Sequence, residues 1–208
     1  MQDFRGVDSI YQNGAGTSHN RKGHGFREVQ EYRLLVQPGL DICSQVEEER
    51  SVLRELFPGH PVTKPVVEIG VFLASEPMEE TLIRWIQRVC SQQAGFMLSL
   101  NNYSGFPPHT IYLRVQDTQP IRELTRQLNI IDEYIRSSGY PMVNWIHRPH
   151  LDLSGRLTET QYAEAIREYA PKTFAANFAV KELALVRVVS GTSEMKLVNV
   201  FHLRQEHN

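Results

Sequence analysis

The sequence predicts an α+β protein in which two lobes of mostly antiparallel sheet, with helices outside, flank a central cleft. Three observations predict it. The order strand, helix, strand, helix, strand occurs twice in succession, with one strand added at the end. Two strands at equivalent places in that repeat, Lys64–Leu73 (KPVVEIGVFL) and Arg148–Leu157 (RPHLDLSGRL), both open on a base and a proline and then alternate through an acidic residue. Finally, the apolar periodicity is regular from Glu31 to Leu203, which places one bilobal domain over residues 31–208, with lobes of roughly 31–103 and 104–208 that can exchange strands.

The elements follow in order. Residues 1–30 include GAGTSHNRKGHG, which has almost nothing to offer a core, so a flexible arm is expected; its basic residues Arg21, Lys22, His24 and Arg27 solvate it. Tyr32, Leu34 and Val36 alternate as a strand that ends at Pro38-Gly39. A helix then runs from Asp41, the expected N-cap, to Phe57, with Ile42, Val46, Leu53 and Leu56 on its apolar side and Pro58-Gly59 as its stop. After the first matched strand, Glu76-Pro77 opens a helix over Met78–Gln92 that presents Leu82, Ile83, Ile86 and Val89 to the core. Phe96–Asn102 reads as a strand, Tyr103–Pro108 as a turn and His109–Val115 as a strand with Thr110, Tyr112 and Arg114 on its polar face.

Ile121, Leu124, Leu128, Ile131 and Ile135 then sit at helical spacing, predicting one long helix over Pro120–Ser137 that Gly139-Tyr140-Pro141 breaks. Beyond the second matched strand, Thr158 caps a helix over Glu159–Tyr169. Two strands, Asn177–Val189 and Glu194–Leu203, joined by Ser190-Gly191-Thr192, close the chain.

Aligned on Pro65 and Pro149, Val66 falls opposite His150, Glu68 opposite Asp152 and Gly70 opposite Ser154. Successive strand side chains point to opposite faces, so Val67, Ile69 and Val71, like Leu151 and Leu153, belong to the core. The other face carries Val66 and Glu68 in the first half, and Arg148, His150, Asp152 and Ser154 in the second.

On these strands the chain resembles the two-histidine (2H) phosphoesterase superfamily, whose best-known branch is the 2′-5′ RNA ligase and cyclic phosphodiesterase group. In that family each half contributes a His-x-Thr/Ser strand, and the two motifs face each other across the cleft between pseudo-symmetric lobes. The resemblance implies a hydrolase fold with its site at His150, Asp152 and Glu68. The second motif keeps His150 and has Asp152 at the hydroxyl position; the first has Val66 and Glu68. One family histidine takes a proton from the attacking oxygen and the other gives one to the leaving oxygen. With His150 alone one role is vacant, and loss of such a catalyst costs on the order of 10²–10⁴ in rate.

Glu68 and Asp152 also place negative charge where a phosphate would sit, costing about 4 kcal/mol per contact at ~4 Å and an effective dielectric near 20. The expected chemistry is therefore acid–base work on a small or nucleotide-like ligand, with no cofactor required; a divalent metal, if used, would take Glu68, Asp152 and His150. Tyr112, Thr110, Arg114, Arg148 and Ser154 are the expected ligand-binding residues. Other readings stay open at this point. The carboxylates could be solvated relics, with Glu68 paired to Arg148 or Arg114; the chain could be a non-catalytic ligand- or RNA-binding module; or it could retain 2′,3′-cyclic phosphodiesterase or 2′-5′ RNA ligase activity.

Composition narrows the partners. A net charge of −2 makes no global magnet for nucleic acid, so RNA contact needs a local basic patch. Cys43 and Cys90 have neither metal-ligand spacing nor a disulfide framework and read as buried free thiols. No apolar run approaches the ~20 residues that span a bilayer, which predicts a soluble cytoplasmic protein without a membrane partner. Oligomeric state is not encoded legibly. Arg187, mid-strand among apolar residues, needs an acidic partner. His109 has core-facing parity, and His147 lies on the face opposite His150.

Overall fold

The structure, a computed structural model, describes residues 28–57, 64–189, 191–192 and 194–205. The flexible arm expected over 1–30 therefore lies, apart from residues 28–30, outside the described residues, as do the Pro58-Gly59 stop and Ser190. The elements are β1 (Val29–Val36), α1 (Leu40–Leu56), β2 (Val67–Ser75), α2 (Glu79–Gln92), β3 (Phe96–Phe106), β4 (Thr110–Val115), α3 (Gln119–Gln127), α4 (Asn129–Ser137), β5 (Asn144–Trp145), β6 (His150–Asp152), α5 (Glu159–Tyr169), β7 (Ala175–Val180), β8 (Glu182–Val188) and β9 (Met195–His202). They form two sheets, ordered β5-β2-β1-β8-β9 and β6-β4-β3-β7, in which the paired strands are antiparallel.

The sheets exchange strands between the sequence halves. β3 leaves the first half for the second sheet, while β5, β8 and β9 return to the first. Two short crossings accomplish this. Ile146–Pro149 carries the chain from β5 to β6, and Lys181 alone separates β7 from β8. The single strand expected over Asn177–Val189 is thus two strands in different sheets. Its burial pattern contains the reason: Ala176, Phe178 and Val180 are buried, then Leu183 and Leu185, so the alternation skips one position at the crossing.

A bulge reshapes the first matched strand. Leu34 pairs with Gly70 but Leu35 with Glu68, leaving Ile69 as the extra residue on β2. Before it Val67 and Ile69 are buried, as expected; after it Phe72 and Ala74 are buried and Val71 is not. Val71 therefore leaves the core face to which simple alternation assigned it. Gly70 is needed for a different reason: a Cβ there would lie 2.8 Å from the Trp145 ring, which packs over it from β5.

Other boundaries move for local causes. β3 continues to Phe106 through a second bulge at Asn102, whose φ of 55° and whose side-chain oxygen, accepting from the Phe174 amide at 3.2 Å, hold the irregularity in place. The turn expected over Tyr103–Pro108 shrinks accordingly. The long helix divides into α3 and α4 at Leu128, where ψ is −1°, yet Leu124, Leu128, Ile131 and Ile135 all stay buried, so the apolar stripe survives the break. Gly39, not Asp41, is the N-cap of α1. Thr158 does cap α5, in a reciprocal box with Gln161.

Arg187 has its acidic partners, Glu76 and Glu79, each at 3.2 Å. Cys90 is buried and Cys43 partly so; both are free, and burial pushes the Cys90 thiol up to about 12. No helix among the described residues is long and apolar enough to cross a membrane.

Candidate active site

The site forms where β2 of one sheet faces β6 of the other. Val66, just before β2, and Glu68 on its non-core side line the cleft, and the Ile146–Pro149 crossing delivers His150 and Asp152 to the same cavity. The resulting cavity of about 130 Å³ is lined by Val66, Glu68, Ile146, His150 and Asp152 together with Arg33, Arg50 and Lys64. Lys64 and Val66 also line an adjoining groove of about 370 Å³, whose walls are mostly apolar: Leu35, Ala184, Val186, Met195 and Leu197.

Three cations on the cavity wall change the electrostatic reading. Arg33, on β1, holds Glu68 at 2.5 Å and Glu31 at 2.8 Å. Arg50, only 2% exposed, donates through Nε and Nη2 to the Asp152 carbonyl at 3.2 and 2.7 Å, and through Nη1 to Glu47 at 2.7 Å. The charge expected to repel an anion is thus accompanied by guanidinium groups, and the partner of Glu68 is Arg33, not Arg148 or Arg114. Sequence reasoning missed both arginines. The available signal was the position of Arg50 on the apolar stripe Ile42–Val46–Leu53 of α1, where a charge survives only with buried partners.

His150 has a defined tautomer. Its Nδ1 lies 2.8 Å from the Arg148 carbonyl oxygen, which can only accept, so Nδ1 carries a hydrogen. Nε2 then faces Asp152 Oδ1 at 3.4 Å, and that oxygen is buried without a hydrogen-bond partner of good geometry. In a neutral ring a lone pair would meet a carboxylate; a proton on Nε2 removes the conflict. Burial of the ring opposes its charge, but Asp152, the Arg148 carbonyl and Glu68 outweigh it and raise the His150 pKa. Phe106 and Tyr112 flank the ring, with centroids at 4.8 and 4.9 Å.

The remaining expected residues disperse. Tyr112 touches His150 but lies outside the cavity wall. Arg114, the β4 residue paired with His150, and Arg148 are exposed and line a separate trough with Tyr112. Thr110 lines none of these cavities. Ser154 is withdrawn altogether: β6 ends at Asp152, so alternation no longer applies, and the Ser154 hydroxyl, 3% exposed, accepts the Ile111 amide at 2.9 Å. His109 is held by the Leu157 carbonyl at 3.1 Å, and His147 lies apart from His150. No group of three or more His, Cys, Asp or Glu among the described residues is arranged to hold a metal, and Glu68 Oε1 is held by Arg33.

A sequence model described as the 2′-5′ RNA ligase superfamily matches residues 38–192. The chain belongs to that superfamily. Its fold agrees with solved structures at low identity, one of them described as a phosphoesterase. A Thermus thermophilus protein superposes with a TM-score of 0.65 at 19% identity, covering 85% of this chain and 100% of that one. Escherichia coli LigT complexed with NADP⁺ gives 0.63 at 19%, covering 86% and 100%, and LigT complexed with 3′-AMP gives 0.61 at 19%, covering 85% and 99%. No curated protein sequence matches the chain. Val66 and His150 line one cavity.

Proposed function

We propose that this chain binds a nucleotide-like phosphoester in the cleft and that His150, acting with Asp152, exchanges a proton with it. The observation that carries this reading is the meeting of a His150–Asp152 couple with Arg33, Arg50 and Lys64 around one small cavity. The cavity suits a single phosphoryl group, and the adjoining apolar groove suits a base and sugar. LigT, a superfamily neighbour, has been crystallised with NADP⁺, 3′-AMP, phosphate and ATP, which agrees with that class of ligand.

In this reading Lys64, at the junction of cavity and groove, attracts the phosphate, while Arg33 and Arg50 hold Glu68 and the Asp152 backbone in position. As a water molecule bonds to phosphorus and the P–O bond to the leaving oxygen breaks, protonated His150 gives its Nε2 proton to that oxygen and the water's proton passes to solvent; Asp152 stabilises the charged ring beforehand. Val66 cannot transfer a proton, so turnover through paired imidazoles is absent. A purely binding role is the second reading, favoured by the apolar Val66 facing His150. Calorimetry with 3′-AMP and hydrolysis of a 2′,3′-cyclic nucleotide separate the two. Binding with slow turnover that His150→Ala abolishes supports the proposal; binding with no turnover leaves the module; no binding of either compound overturns both.

A further inference from the structure

Among the described residues the two sheets end on four strands, and three of these edges are blunted. β5 and β6 are two and three residues long, and β9 carries Lys196, His202 and a bulge at Val198. β7, reading AANFAV, differs: it has six residues, no charge, no proline and an unbroken register against β3. We propose that β7 pairs antiparallel with β7 of a second copy of this chain, about a two-fold axis at Asn177, so that the sheet runs on from one copy into the next.

Two backbone bonds establish which groups β7 leaves free. Gln116 donates to the Ser99 carbonyl at 2.9 Å, so the odd-numbered residues of β3 before its bulge bond toward β4. Asn102 donates to the Phe174 carbonyl at 2.8 Å, so the even-numbered ones bond toward β7. Leu100 faces Ala176, Leu98 faces Phe178 and Phe96 faces Val180, which engages the amides and carbonyls of those three β7 residues with β3. The backbone groups of Ala175, Asn177 and Ala179 therefore point away from β3. These three residues are exposed, and among the described residues no other backbone bond reaches them.

A second copy satisfies all of these groups. Pairing about Asn177 sets Ala175 opposite Ala179 of the copy, Asn177 opposite Asn177, and Ala179 opposite Ala175, and each pair joins two residues whose groups face outward. No other register pairs all three with one another; moving the axis by one residue sets Ala179 or Ala175 beyond the end of the facing strand. The facing side chains are small and neutral. Met97, paired with Ala179 on β3 and 56% exposed, shares the face of these alanines and gains cover from the added strand. Lys172 precedes β7 and is held by Glu168 at 3.0 Å, while Lys181 and Glu182 follow it, so the antiparallel ends meet without uncompensated charge. An unrelated peptide would find the same backbone groups but only small neutral side chains to select it. A second copy needs no selection, since one strand supplies both halves of the match.

The test is sedimentation velocity on the full chain from about 1 to 200 µM, the range in which a small interface dissociates, with amide exchange followed by NMR at both ends of it. The sedimentation coefficient should rise from that of a monomer to that of a dimer. The amides of Ala175, Asn177 and Ala179 should exchange fast when dilute and slow as the dimer forms, while those of Ala176, Phe178 and Val180 are slow throughout. Asn177→Pro removes an N–H that points away from β3, so the monomer should fold while the dimer is lost. Charge provides the same check without proline: Asn177→Lys and Asn177→Asp, each facing itself at the axis, should dimerise at least about fivefold more weakly alone than when mixed. A wild-type chain still monomeric at the highest concentration overturns the proposal, as does a dimer that folded Asn177→Pro leaves intact or a mixture of the charged variants no tighter than either alone. Slow exchange of the Ala175, Asn177 and Ala179 amides in the dilute monomer would mean that another part of the chain covers the edge, and overturns it too.

Discussion

Replacing Arg50 by methionine tests the architecture of the site at its base. The side chain is 2% exposed, and its Nε and Nη2 hydrogens converge on the Asp152 carbonyl while Nη1 holds Glu47. Methionine fills the stem but donates nothing, so the Asp152 carbonyl loses both donors. Hydrogen bonds from a charged donor contribute about 1.5–3 kcal/mol, and removing one partner of a buried charged contact costs about 3–5 kcal/mol. Two terms reduce the total. Glu47 is 42% exposed, so solvent screens its loss to below about 1 kcal/mol, and methionine avoids the desolvation of a buried guanidinium. The expected destabilisation is about 3 kcal/mol, a fall of roughly 6–12 °C in Tm for a chain of this length. Guanidinium unfolding followed by tryptophan fluorescence measures it. Arg50→Lys keeps the charge but not the planar fork and should recover less than half of the loss. A destabilisation below about 1 kcal/mol for Arg50→Met would refute the claim that this arginine anchors the Asp152 segment.

Three further outcomes are expected. Because the folded-state pKa of His150 is raised above the ordinary 6.5, its charged form contributes stability that is fully present below about pH 6.5 and is lost as pH rises through the folded value; an NMR titration placing the His150 pKa below 6.5 would sink the argument. Gly70→Ala should displace the Trp145 ring, destabilise the fold by about 1–3 kcal/mol and shift tryptophan emission; unchanged emission would mean that the ring does not lie over Gly70. Thr158→Ala removes one arm of the α5 capping box and should cost about 1 kcal/mol by chemical denaturation, whereas Thr158→Asp, which can still accept the amide, should cost little; equal losses would deny the cap.

The sequence by itself determined most of the elements and one feature of the site. Periodicity alone separates strands from helices, since burial follows the same two-residue and 3.6-residue spacings that the folded chain uses, and the matched strands at Pro65 and Pro149 brought Val66, Glu68, His150 and Asp152 together. It could not determine three things, each for a physical reason. Register lies between strands, so the bulge at Ile69 that turns Val71 outward depends on β1 as much as on β2. Sheet membership changes over one residue at Lys181, a step that costs the alternation a single position and leaves composition untouched. Above all, charge compensation is a contact across long sequence separations: Arg33 meets Glu68 and Arg50 meets the Asp152 carbonyl only once α1, β1, β2 and β6 have packed. Two acidic residues read in isolation stand without counter-charge; the folded chain sets guanidinium groups beside them, and the balance is decided by the tertiary structure because Coulomb energy depends on the distances that packing sets.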